Sequence, residues 1–149
     1  MEKVKEVPYG VADFVTVMEQ NLYYVDKTMF IPELEKQPRN LFFIRPRRFG
    51  KSIFLSMLHS YYDCNQSAKF QSLFGNLWIG QHPTELQGKY QVLFLDFSQV
   101  SGNIDSLERN FDFYCSVKLD GFIRRYGESY SEETREKVRK AEYAMDPCG

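Results

Sequence analysis

Apolar residues fall into two kinds of pattern along this chain, helix-spaced stripes and short unbroken runs. Val11 to Gln20 carries Phe14, Val17 and Met18 at helical spacing and reads as a short amphipathic helix after an extended lead-in, Met1 to Gly10. Leu22 to Val25 is brief and β-prone. Either Asp26 or Thr28 can cap a helix running to about Lys36 with Phe30, Ile31 and Leu34 inward, and Pro32 fits near the start of that helix. Gln37 to Asn40 is a loop. Leu41 to Arg45 is unbroken and apolar, as a strand covered on both faces would be. Lys51 to Asp63 returns to helical spacing, with Ile53 and Met57 in one row and Phe54, Leu58 and Tyr61 in another.

Phe70, Leu73 and Phe74 predict a helical turn that Gly75 stops, and Leu77 to Ile79 is a short apolar tract. Gly80 to Tyr90 holds loop signals. Gln91 to Phe97 is a second strand-like run. Ile104 to Tyr126 is the longest helical stretch, with Leu107, Phe111, Tyr114, Val117 or Lys118, and Phe122 on one face, and Gly127 ends it. Ser129 to Glu132 resembles a capping box, and the polar helix after it has only a thin stripe of Val138, Ala141 and Met145. Two buried strands, each leading on to helices, make the expected class α/β.

The chain has 149 residues, enough for one domain with its own core, and 13 Phe and 10 Tyr should make that core aromatic. A formal net charge of -1 gives no support for nucleic acid or an anionic membrane as partner. No run is long enough to span a bilayer, and the first ten residues lack the apolar stretch of a signal peptide. Cys64, Cys115 and Cys148 are far apart, which suggests neither a zinc site nor a disulfide framework. Cys64 and Cys115 read as small buried residues. A reducing, cytoplasmic setting follows most simply.

The chemistry concentrates between the first apolar run and the helix after it. Arg45-Pro46-Arg47-Arg48-Phe49 leads to Gly50-Lys51-Ser52 at the helix start. A phosphate site needs converging donors. A P-loop supplies them from consecutive backbone N–H groups and the positive end of a helix, with a glycine so that the backbone can approach. The lysine adds a mobile charge for the outer phosphates, and the serine hydroxyl ligates Mg²⁺. Arg45 stands where the usual pattern has its first glycine, and Pro46 has no N–H to give. The alternative is a strand-to-helix turn with Lys51 and Ser52 merely solvated.

With RPRRFGKS, the chain resembles the bacterial and archaeal AAA-ATPase-like family of P-loop proteins. Pro8-Tyr9-Gly10, the box Tyr24-Val25-Asp26-Lys27-Thr28, Tyr61-Tyr62-Asp63 and the Leu-Asp-Phe-Ser within Val92 to Ser98 match as well. The resemblance implies an ATP-binding, RecA-like P-loop NTPase fold. Residues 1–40 would be lead-in helices, 41–63 the strand, P-loop and helix, and 64–149 a second strand and helices. It also implies ATP and Mg²⁺ as ligands, with Arg45, Arg47, Arg48, Phe49, Gly50, Lys51 and Ser52 around the phosphates and Asp26 near the base. Many members carry a further domain resembling a PD-(D/E)XK nuclease, and their Mg²⁺-directing acidic segment lies beyond the stretch present here. The chain therefore reads as an N-terminal portion of the usual domain, an incomplete sheet with exposed edges open to self-association.

Asp96 ends an apolar run as a Walker B acid would, and could touch Mg²⁺ or water; an aspartate capping local backbone is the preferred reading. The three loop arginines could contact phosphate, face a partner or be solvated. His59 and His82 have no metal-site companions. Three functions compete: an ATP-hydrolysing switch, a nucleotide-binding module without turnover or an inactive remnant, and a nucleic-acid-associated protein acting through a missing nuclease-like domain.

Overall fold

A computed structural model describes residues 5–44, 46 and 49–137. The chain divides into two compact units, Met1–Gln91 and Val92–Gly149.

The first unit is built on one helix. Its elements are α1 (Phe14–Glu19), a 3-10 turn at Thr28–Phe30 leading into α2 (Ile31–Glu35), α3 (Lys51–Tyr62), a 3-10 stretch at Cys64–Lys69, α4 (Phe70–Phe74) and α5 (Trp78–Gln81). Helix α3 buries Phe54, Met57 and Tyr61. Each such side chain contributes about 1.5–3 kcal/mol when taken out of water. Around them gather Phe14 of α1, Ile31 of α2, Leu73 and Phe74 of α4 and Ile79 of α5. The rings interlock: Phe14 lies 5.0 Å from Phe74 and 5.2 Å from Tyr24, and Tyr61 stands edge-on to Phe74 at 5.5 Å.

Polar contacts fix the small helices onto α3. Asp13 caps α1, accepting from the Thr16 N–H at 2.8 Å and the Thr16 hydroxyl at 2.7 Å. Its other oxygen accepts from the Ser56 hydroxyl at 2.9 Å, and that hydroxyl accepts from the Phe14 N–H at 3.0 Å. At the other end of α3, the hydroxyl of Tyr61 accepts from the Thr84 N–H at 2.8 Å. Glu35 takes the hydroxyls of Thr84, at 2.7 Å, and Tyr62, at 3.0 Å. Burial first, and then the Glu35 charge and hydrogen bond, push the Tyr62 hydroxyl well above the usual tyrosine range. Gly80 lets α5 close against α4, because a Cβ there would meet the Phe74 carbonyl oxygen at 2.0 Å.

In the second unit α6 (Ile104–Tyr126) follows a 3-10 turn at Phe97–Gln99, and a last 3-10 turn covers Gly127–Ser129. Asn103 caps α6 by accepting from the Ser106 N–H at 3.0 Å. Two tyrosine hydroxyls of α6 receive backbone N–H groups of the preceding segment: Tyr126 from Val92 at 3.1 Å and Tyr114 from Asp96 at 2.6 Å. Phe97 packs on Phe111 at 5.4 Å. Residues 132–137 are helical behind Ser131, whose hydroxyl accepts from the Thr134 N–H at 3.3 Å. The stripe expected at Val138, Ala141 and Met145 lies outside the described residues.

The helices agree with the apolar spacing, and the fold class does not. The described residues are helical and contain no strand, so the expected α/β, RecA-like sheet is overturned. Their one β pairing is an isolated parallel bridge between Asp63 and Tyr90. The physical reason is a lack of ladder partners. Leu41 to Ile44 makes no strand pairing, and Phe42 remains 92% exposed. The Val92 to Asp96 run is held by tyrosine side chains instead of a neighbouring strand. With no sheet among the described residues, the sheet edges expected to drive self-association are absent there too. Two smaller corrections follow. Phe30 points outward, 52% exposed, while Ile31 beside it is buried; Cys64 and Cys115 are half-buried.

Burial works against ionisation of Asp13, but the Thr16 hydroxyl, the Thr16 N–H and the Ser56 hydroxyl outweigh it and hold the carboxyl below its ordinary 3.8. A carboxyl depressed by folding stabilises above its unfolded value and loses that effect as pH falls through the folded one. Asp13→Asn keeps a capping oxygen but replaces the acceptor of the Ser56 hydroxyl by an amide donor, and should cost about 1 kcal/mol at neutral pH, the size of one lost hydrogen bond. The gap between wild type and variant should narrow below about pH 3.8. Urea midpoints at neutral and acid pH check both statements, and a gap that does not change with pH would remove Asp13 from this role.

Candidate functional site

Gly50 is the hinge of the candidate site. It precedes α3 with φ 73° and ψ 24°, a left-handed conformation that costs a side-chain-bearing residue about 1–2 kcal/mol. A Cβ on it would meet only Ile53 at 3.5 Å and the Lys27 ammonium at 3.8 Å, both ordinary contacts. Glycine is thus required by the backbone angle and not by crowding. The Gly50 carbonyl accepts the first helical bond, from the Phe54 N–H at 3.1 Å. No side chain caps α3 and no acidic residue stands in its first turn, so the positive end of a helix of 12 residues carries no anionic side chain of its own.

Lys51 is half-buried in that first turn and Ser52 is exposed. Phe49, just before the turn, is 59% exposed. The structure thus brings Phe49, Gly50, Lys51 and Ser52 together at the opening of α3. Arg45, Arg47 and Arg48 lie outside the described residues. A Mg²⁺ ion bound with a nucleotide needs few protein ligands, because phosphates and waters complete its shell, and the exposed Ser52 hydroxyl fits that demand. Among the described residues no three His, Cys, Asp or Glu side chains gather as a metal site.

A cavity of about 520 Å³ opens beside Gly50. Lys27, Phe30, Leu34, Phe43, Phe49 and Phe54 help to line it. Sequence reasoning missed it. Phe30 and Leu34 sit one helical turn apart, which is a signal, but that spacing equally suits a core-facing stripe.

Asp26, expected near the base, holds local and distant backbone. One carboxylate oxygen accepts from the Thr28 N–H at 2.8 Å and the Thr28 hydroxyl at 2.7 Å; the other accepts from the Trp78 N–H at 2.7 Å. Thr28, fully buried, in turn accepts from the Ile79 N–H at 3.1 Å. The pair therefore caps α5: one oxygen of Asp26 takes the Trp78 N–H, the other holds Thr28 in place to take the Ile79 N–H. Lys27, between them, faces the cavity and Gly50. Burial first, and then the Asp26 charge, raise the Tyr24 hydroxyl far above its usual range. In the second unit, Asp96 accepts from the Ser98 hydroxyl at 2.6 Å and the Ser98 N–H at 3.1 Å. The first and then the second of these hold its carboxyl below the ordinary range. It caps the turn at Phe97–Gln99.

Comparison with known proteins gives one family and one relative. The family described as "Predicted AAA-ATPase" matches residues 8–146. An "Uncharacterized protein in vnfD 5'region" of Azotobacter chroococcum mcd 1 is 43% identical over 63 residues. That stretch covers 42% of this chain and only 12% of the relative's length. No solved structure matches. Among the described residues no helix is long and apolar enough to cross a membrane.

Asp26→Ala would leave the Trp78 N–H and the buried Thr28 hydroxyl without their acceptor. It should cost about 3 kcal/mol, the upper range for hydrogen bonds to a charged group, read as a lowered urea midpoint. An unchanged midpoint would show that the carboxylate does not hold α5.

Proposed function

Since the chain belongs to the AAA-ATPase-like family, we propose that it binds ATP with Mg²⁺ through the turn at Gly50, Lys51 and Ser52. The observation that carries this reading is the opening of α3: a left-handed glycine, a lysine and a serine at an acid-free helix N-terminus. Backbone N–H groups at such an end point at an anion, and the helix dipole favours negative charge there. Lys51 would neutralise the outer phosphates. Ser52 would hold Mg²⁺, which supplies charge neutralisation of the phosphate oxygens when bound. The Lys27 ammonium beside Gly50 adds positive charge on the same side of the turn.

Binding is the function proposed. Phosphoryl transfer to water needs a group that orients the attacking water as well as a phosphate cradle. The described residues of the first unit offer no acidic side chain in the first turn of α3, and Asp26 is engaged in capping. A cytoplasmic setting fits ATP as ligand.

Calorimetric titration of ATP with Mg²⁺ into the chain tests the reading, with circular dichroism establishing that each variant is folded. Lys51→Ala should weaken binding by about 3 kcal/mol, roughly a hundredfold, for a lost charge-assisted contact. Equal affinity of a folded Lys51→Ala variant would exclude Lys51 as a phosphate ligand. A folded wild type that takes up no nucleotide would exclude the function.

A further inference from the structure

We propose that α6 carries a self-association face whose occupant is a second copy of this chain, lying antiparallel to the first. Tyr114 and Tyr126 hold the preceding segment along α6, yet one side of the helix stays in water. Leu107, Phe111, Phe113 and Val117 are 46%, 41%, 59% and 47% exposed. At about 100° per residue these four fall on one side together with Gly121, and Asp105, Arg109, Asp112 and Asp120 fall on the other. Single apolar side chains in water are ordinary, but four on one side of one helix make a patch.

The face has a small-against-large register. Leu107 and Gly121 stand seven residues to either side of Tyr114, the spacing that returns a helix to the same seam. Two copies crossed antiparallel at Tyr114 would set Leu107 of each over Gly121 of the other. A Cβ on Gly121 would meet nothing within 4 Å, so packing within the chain gives no reason for a glycine there. Glycine weakens a helix interior. Close approach of a partner helix supplies the missing reason.

Charge selects a reversed copy of α6 as that helix. Its first half, Ile104 to Tyr114, carries Asp105, Glu108 and Asp112 against Arg109. Its second half, Cys115 to Tyr126, carries Lys118, Arg124 and Arg125 against Asp120. That one acid pairs within the helix, accepting from Arg124 Nε at 2.6 Å. In an antiparallel pair each acidic half lies beside a basic half, and the two helix dipoles also oppose. A parallel pair would set acid beside acid. Because the same surface serves both copies, the pair closes as a dimer. A helix of 23 residues is about 34 Å long. One such contact sits at the low end of protein interfaces, below about 1,200 Å² in all, which makes the dimer reversible, with a dissociation constant on the order of micromolar.

Sedimentation equilibrium of the full chain across the micromolar range should show a monomer–dimer equilibrium that weakens as salt is added. Val117→Asp and Gly121→Gln should each raise the dissociation constant at least about tenfold. Glutamine suits a helix better than glycine, so weakening by Gly121→Gln cannot come from loss of α6. Orientation is read by cross-linking in a chain with Cys64, Cys115 and Cys148 changed to Ser. Leu107→Cys mixed with Gly121→Cys should form the mixed disulfide dimer, and neither variant should cross-link to itself. A chain that stays monomeric overturns the second copy as occupant and leaves the face to a different partner. A dimer that neither Val117→Asp nor Gly121→Gln weakens overturns this face. Self-linked dimers, or no disulfide from the mixture, overturn the antiparallel register.

Discussion

Helix α3 cannot be stable by itself in water, and the first unit is arranged to bury its one apolar face. A helix of 12 residues is marginal when isolated, because nucleation is costly and few bonds follow it. Phe54, Met57 and Tyr61 become an asset only when covered, and α1, α2, α4 and α5, each of four to six residues, are too short to persist unless they do the covering. The dependence is mutual. Ser56 sits between the Asp13 carboxylate and the Phe14 N–H, and it ties the start of α1 to the middle of α3. The Tyr61 and Tyr62 carbonyls receive the N–H groups of Gly88 and Tyr90, and the loop after α5 is thereby laid along the end of α3.

That arrangement leaves the opening of α3 in an unusual position. One end is consumed by structure: Asp63, buried, caps the 3-10 stretch through the Asn65 N–H at 2.8 Å, and His59 reaches back to it at 3.3 Å. The other end starts on a glycine that cannot cap anything. A helix whose stability comes from its packed face can begin on glycine, at about a few tenths of a kcal/mol relative to a side-chain cap. The same economy holds in the cavity beside it. Apolar rings left facing water forgo roughly 25 cal/mol for every Å² not buried, so Phe30, Phe43 and Phe49 represent stabilisation that folding did not collect. A ligand covering them would collect it instead.

The helices were legible in the sequence because their spacing has a single cause. Phe14 and Val17, Phe54, Met57 and Tyr61, and Phe70 with Phe74 are buried or packed at the core where the period placed them, and the bounds of α6 coincide with the stretch from Ile104 to Tyr126. The glycine before α3 was legible too, since left-handed backbone at a helix start is a chemical requirement on one residue. The strands were misread because an unbroken apolar run is only a statement about burial. It does not name the partner. Leu41 to Ile44 and Val92 to Asp96 have strand-like composition, yet a strand exists only through a ladder, and the hydroxyls of Tyr114 and Tyr126 satisfy N–H groups that a ladder would have used. The cavity was illegible for the opposite reason. Its walls come from α2, the run at Phe43 and the face of α3, and only tertiary placement brings those together.

Asp26 shows how a residue beside a candidate site can be committed to the core. Read in isolation, an aspartate ahead of a phosphate-type turn invites a role in chemistry. Its two oxygens instead take three donors, and one of them, the Trp78 N–H, lies 52 residues away. Such a long-range cap is stronger than a local one in its consequence, because it fixes the start of α5 against the turn that carries Lys27. Lys27 follows directly, and its ammonium stands beside Gly50. The box therefore couples the core to the candidate site through one peptide step: the carboxylate and the buried hydroxyl hold the backbone, and the residue between them is left to point outward. A pattern of this kind, in which the polar neighbours on either side are spent on structure and the central cation is presented, makes the geometry of the site a product of core packing and not of the loop alone.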